Sequence, residues 1–131
     1  MSAGNKHNWE NYIKISEIFL DIDLYPEFGN SLRRSAISRA YYGAFCLARN
    51  KAVEMKWINI NNSVQDHKTV KEYYIKHGDK DKNKIGLKLD RLRKKRNQAD
   101  YRDTFYHVGR YAKTCVKNAK EIVITLNNIE S

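Results

Sequence analysis

One short stretch of this chain is chemically suited to a phosphodiester. Arg96, Asn97, Asp100, Tyr101, Arg102 and His107 place two guanidiniums, an amide, a carboxylate, a phenol and an imidazole within twelve residues. Cleaving RNA without a metal needs a cation that stabilises the charged phosphorane. It also needs groups that move protons from the 2′-hydroxyl and to the leaving oxygen. Arginine can do the first, and histidine suits the second near neutral pH. Tyrosine, with an ordinary pKa of about 10, is the poorer proton carrier. A plainer reading competes with this one. Arg96 and Asp100 are one helical turn apart and could be an ion pair that only fixes packing.

Arg96 is conspicuous for where it falls. Ile85, Leu89 and Leu92 recur at helical spacing and form one apolar stripe. The next members of that stripe are Arg96 and Ala99. A guanidinium there is costly to bury without a partner. Upstream, nine of the seventeen residues from Lys80 to Arg96 are Lys or Arg. Lys84, Lys88, Arg91 and Lys95 share a face, which makes Lys88, Arg91 and Lys95 candidate phosphate contacts. A solvated helix face is the alternative. Arg39 is the only charge between Ala36 and Ala48. It needs an acceptor, and Asp100 is the expected one, with Arg39, Arg96 and Asp100 meeting either at an anion-binding site or as a buried structural ion pair.

Those side chains need elements to hold them. The length of 131 residues suits one domain, 1–131, with a real core. A composition 41% hydrophobic and 31% charged excludes a disordered chain. One proline and six glycines leave little turn chemistry and imply long helices with short links. No apolar run approaches a membrane span, and the first residues lack a signal-peptide core. Cys46 and Cys115 form no CxxC pair, so a reduced, cytoplasmic protein is expected. His7, His67 and His77 lack ligand spacing, so no metal is expected, and the absence of a glycine-rich phosphate loop argues against a cofactor. His67 is expected to cap or pack the third helix. The net charge of +10 points to an anionic partner: nucleic acid, a nucleotide or an acidic protein.

Five helices are expected, at about Asn8–Asp23, Ser31–Lys56, Ser63–His77, Asn83–Tyr101 and from Asp103 or Thr104 to Asn128. Asn30 or Ser31 should cap the second, and Ser63 with Asp66 should form a capping box at the third. The second helix is apolar nearly all round and should be central. The fold class is all-α: a bundle of four long helices plus a shorter one, with antiparallel neighbours.

Three motifs together resemble a known family. Ser-Arg-Ala-Tyr-Tyr-Gly-Ala-Phe at 38–45, His67 with Val70 and Tyr74, and Leu-Arg-Lys-Lys-Arg-Asn-Gln-Ala-Asp-Tyr at 92–101 are similar to the HEPN domain (higher eukaryotes and prokaryotes nucleotide-binding). The resemblance is to small stand-alone prokaryotic members. It implies an antiparallel helical bundle, often a homodimer in which two copies of an Arg motif face one cleft. It also implies a metal-independent endoribonuclease of toxin–antitoxin or phage-defence type. An antitoxin would be the partner of that form. The alternative is a non-catalytic module that binds RNA, a nucleotide or a nucleotidyltransferase-like partner. The family signature is Arg, a polar residue, then His, with four to six residues between the Arg and the His. Arg96 and Asn97 match its first two positions. Tyr101, Arg102 and Asp103 occupy the histidine positions. A shifted match runs through Arg102, Asp103 and His107.

Overall fold

The computed structural model describes residues 7–21 and 25–129. Its helices are α1 (Glu10–Phe19), α2 (Gly29–Glu54), α3 (Gln65–Lys76), α4 (Lys80–Tyr101) and α5 (Val108–Asn128), with a short 3-10 turn, Pro26–Phe28, leading into α2. No strand occurs among the described residues, so the all-α class holds. The length distribution differs from expectation. Three helices have 21 to 26 residues, while α1 has 10 and α3 has 12. Helix α1 ends early because the amides of Leu20 and Asp21 reach back only three residues, to Glu17 and Ile18. The expected final residues Ile22 and Asp23 lie outside the described residues.

Local chemistry sets the other boundaries. Asp79 accepts from the amides of Asp81 and Lys82 at 3.0 and 3.1 Å, so α4 starts at Lys80 and the expected loop at 79–84 is mostly helix. No side chain caps α2; Asn30 instead accepts from Nε of Arg34 at 2.9 Å. Ser63 accepts from the amide of Gln65, while Asp66 turns to the amide of Asn61, so the capping box is not closed. Helix α5 starts at Val108 rather than near Thr104. Arg102 is extended, and His107 adopts a left-handed conformation, φ 59°, before the helix begins.

Helix α2 is the centre and touches all four other helices. Ala36, Ala40, Ala44, Ala48 and Ala52 recur every fourth residue and are fully buried. This stripe of small side chains lets neighbours approach closely. A Cβ on Gly43 would lie 2.8 Å from Ile13 Cγ1 and 3.0 Å from the Trp9 carbonyl, so α1 seats there on bare backbone. Ile37 and Tyr41 of α2, Ile85, Leu89 and Leu92 of α4, and Ala112, Val116, Ala119 and Ile122 of α5 complete the core. Each large aliphatic chain among them contributes about 1.5–3 kcal/mol by leaving water. Cys46 and Cys115 are both free and buried; burial raises both thiols, Cys115 to about 12, and keeps them protonated.

Contacts fix the directions. Arg34 meets Arg102 and Tyr42 meets Arg96, so α4 runs against α2. Asn83 meets Ile75 and Lys71 meets Asp90, so α3 runs against α4. Arg33 lies against Gly109 and Lys51 bonds the Ile129 carbonyl, so α5 runs along α2. The consecutive helices α2 and α3 are an exception to antiparallel neighbours: Tyr41 meets His67 and Tyr74 meets Ala48. The ten-residue link 55–64 allows this, since ten extended residues span about 33 Å, enough to return along α2. No helix of the described residues is long and apolar enough to cross a membrane.

Candidate functional site

Successive turns of α4 present Arg93, Arg96 and Asp100 toward α2 and α3. The Arg96 side chain is 16% exposed, and its Nε is 2.8 Å from Oδ2 of Asp100. The contact is an ion pair without a well-aligned hydrogen bond: Nε itself is buried and has no partner in line with its N–H. Nη1 donates to Oδ1 of Asn97 at 3.0 Å. The guanidinium lies over the Tyr42 ring at 4.9 Å and near the Tyr101 ring at 5.6 Å. Arg96, Asn97, Asp100 and Tyr101 therefore form one group, with Tyr101 exposed at 74%.

The partners of Asp100 differ from expectation. Ser38 Oγ donates to its Oδ2 at 3.4 Å, while Arg39 is exposed and lies over the Tyr12 ring at 4.6 Å. The expected Arg39–Asp100 pair is not formed, because Arg39 points from α2 toward α1 rather than α4. Both residues still line a shared groove of about 360 Å³ with Arg34, Ser35 and Ser38. Arg34 was not anticipated as a site residue. It donates to the carbonyls of Ala99 and Asp103 at 3.0 Å each and to that of Arg102, and so holds the end of α4.

Arg102 and His107 lie apart from Arg96. They line a separate hollow of about 250 Å³ with Lys95, Gln98 and Tyr111, on the α5 flank. The basic ridge is also less open than its spacing implied. Lys88 pairs with Glu121, and this bond holds the Glu121 carboxyl below its usual range. Lys95 packs its ammonium 3.7 Å over the Tyr111 ring. Arg91 remains exposed. Neutralisation by α5 explains the difference, since the ridge that α4 presents runs along that helix.

Two further residues join the Arg96 group. Arg93 is half-buried; its Nε is sealed from solvent without a hydrogen-bond partner, and no carboxylate among the described residues pairs with it. His67 neither caps α3 nor faces solvent fully. Its ring stacks on Phe45 at 4.2 Å and 11°, stands edge-on to Tyr42 at 6.2 Å, and its Nδ1 bonds the Tyr41 hydroxyl. Burial and then the positive charges of Arg93 and Arg96 hold its pKa below 6.5. The three-and-four spacing of His67, Val70 and Tyr74 already put the imidazole on the buried face of its helix, and the Arg93–Arg96 spacing put both guanidiniums on one side. No cluster of three or more His, Cys, Asp or Glu among the described residues is arranged to hold a metal ion.

A family model of the HEPN domain matches residues 10–129, nearly the whole length. The chain belongs to the HEPN domain family. No curated protein and no solved structure gives a match. Ribonuclease and nucleotide-related roles recur in the HEPN family. In this HEPN domain Arg96 and Asn97 are in contact with each other, while the position four residues beyond Asn97 holds the exposed phenol of Tyr101.

Proposed function

We propose that this chain is an RNA-associated HEPN protein of toxin–antitoxin or phage-defence type that holds an RNA phosphate on Arg93 and Arg96. The supporting observation is a charge imbalance in a partly dry place. Of the two half-buried guanidiniums only Arg96 has a carboxylate, Asp100, while Arg93 has none among the described residues, and neither Nε–H has an aligned acceptor. Attraction of an anion is strengthened where water is partly excluded. The net charge of +10 acts in the same direction over longer range. Exposed Tyr101 offers a base-stacking face beside that phosphate.

In the ribonuclease form of this reading, Arg96 neutralises the phosphorane and Asn97 orients it. Tyr101, or His107 from a second copy across a composite dimer cleft, moves the protons. The non-catalytic form keeps binding without turnover, and the location of His107 on the α5 flank favours it within one chain. A nucleotidyltransferase-like protein would then be the partner, whereas an antitoxin would be the partner of the ribonuclease form.

The test is one pair of assays on wild type and Arg96→Ala, using single-stranded RNA in the presence of a chelator. Affinity is expected to fall at least tenfold in the variant, about 1.4 kcal/mol, with the fold intact by circular dichroism. Turnover by wild type that is lost in the variant selects the ribonuclease form; binding without turnover selects the other. Wild type that fails to bind RNA at low salt would sink the reading.

A further inference from the structure

We propose that His67, reaching across from α3, is the neutral third donor of the phosphate site, with its Nε2–H aimed at an RNA phosphate held by Arg93 and Arg96. This deepens the RNA-binding reading above and rests on it. The argument begins at the buried hydroxyl of Tyr41. Burial raises that phenol well above its ordinary value, so the hydroxyl keeps its proton. A buried O–H must find an acceptor, and among the described residues its partner is Nδ1 of His67. The Tyr41 proton therefore lies toward Nδ1, and the ring proton of neutral His67 is on Nε2. Were Nδ1 the donor instead, the Tyr41 proton would be left without a partner inside the core.

The ring is also fixed in orientation. It stacks on Phe45 at 11° and on Tyr41 at 17°, and the edge-on Tyr42 ring that it meets carries the Arg96 guanidinium on its face. No protein group among the described residues bonds Nε2. The charged and titratable neighbours are Tyr41, Tyr42 and Arg49 on α2, Asp66 on α3, and Arg93 and Arg96 on α4. Asp66 is the one carboxylate among them, and its side chain is engaged by the amide of Asn61. Three guanidiniums around one imidazole disfavour a fourth positive charge. They leave a donor-rich site whose imidazole already carries its proton on Nε2 and has Nδ1 engaged by Tyr41: suited to gripping a phosphate, not to abstracting a proton from a 2′-hydroxyl. His67 is on this account a binding residue, set in its tautomer by Tyr41. An anion brought against the ring cancels part of the surrounding positive charge and raises the affinity of His67 for a second proton.

The experiment uses the full chain with 15N-labelled histidine. In the free protein the His67 shifts are expected to be pyridine-like at Nδ1 and pyrrole-like at Nε2. Titration with a single-stranded hexaribonucleotide is expected to move Nε2 more than Nδ1. The pH midpoint of the ring is expected to rise on binding. His67→Gln, which keeps an N–H donor near the Nε2 position, should bind within about threefold of wild type, and His67→Phe, which keeps only the stack, should lose about tenfold. An Nδ1–H tautomer, or His67→Phe binding as wild type while Arg96→Ala has lost affinity, overturns the inference and leaves the RNA reading standing. Loss in neither variant overturns both. Inorganic phosphate moving Nε2 equally at the same concentration would assign the site to free anions and overturn its assignment to RNA.

Discussion

Asp100 is the residue whose removal separates structure from function at the Arg96 site. Its carboxylate occupies the guanidinium that a phosphate would need, and it is only 27% exposed. Asp100→Asn is therefore expected to raise RNA affinity several-fold while lowering stability by about 0.5–1 kcal/mol, read by fluorescence anisotropy and thermal melting. Unchanged affinity together with the stability loss would mark the pair as purely structural. His67 gives a pH signature. Its folded pKa lies below the ordinary 6.5, so below that value the unfolded chain takes up a proton that the folded chain resists. Stability from this group is complete above pH 6.5 and declines as pH falls through the depressed folded value. Between pH 7.5 and 5 the melting temperature of wild type should fall further than that of His67→Gln; parallel curves would contradict the shift. The motif residues Arg96, Asn97 and Asp100 were legible from sequence because they are close in the chain and share one helix. The partners of Arg93 and His67 are not legible there, for a physical reason. The value of each depends on what lies opposite, and the pairing of Tyr41 with His67 joins residues 26 apart.

Helix ends and helix crossings carry the next set of expectations. Arg34 holds three carbonyls at the end of α4, and a charged donor of this kind is worth about 1.5–3 kcal/mol. Arg34→Ala should cost an amount in that range by denaturant titration. Arg34→Lys should recover only part of it, because an ammonium cannot reproduce the planar fork. A cost below half a kcal/mol (about 0.5) in Arg34→Ala would mean the carbonyls rehydrate freely. At the α3–α4 crossing, a Cβ on Gly86 would meet Ile75 Cγ1 at 2.5 Å and the Ile75 backbone nitrogen at 2.8 Å. Backbone cannot step aside, so Gly86→Ala should destabilise by about 1–3 kcal/mol, more than Ala introduced at an open helix position. The number of helices, the central place of α2 and the α4 stripe were all readable, since periodicity and composition are local properties. The boundaries of α1 and α5 and the parallel course of α3 were not. They depend on Arg34, on the tight turn at Leu20 and Asp21, and on a link long enough to double back.

Charge acts at the scale of the whole chain, but not evenly over it. Lys88 is spoken for by Glu121, and Lys95 lies on Tyr111, whereas Arg91 is exposed. Arg91→Glu is therefore expected to weaken RNA binding and flatten its dependence on salt by about 0.7 in logarithmic slope for a lost single-strand phosphate contact. Lys88→Glu should instead lower the melting temperature by setting two carboxylates together, and act on binding mainly through the overall charge. Equal salt slopes for the two variants would mean that net charge alone governs association. The fork of Arg34 has a consequence for motion as well. It fastens the first turns of α2 to the last turn of α4, so neither end can fray alone. Amide protons in these two distant stretches should exchange with solvent at matching rates and slow or quicken together. The entrance to the groove is then gated by the opening of α2, a helix that is itself anchored in the middle of the molecule.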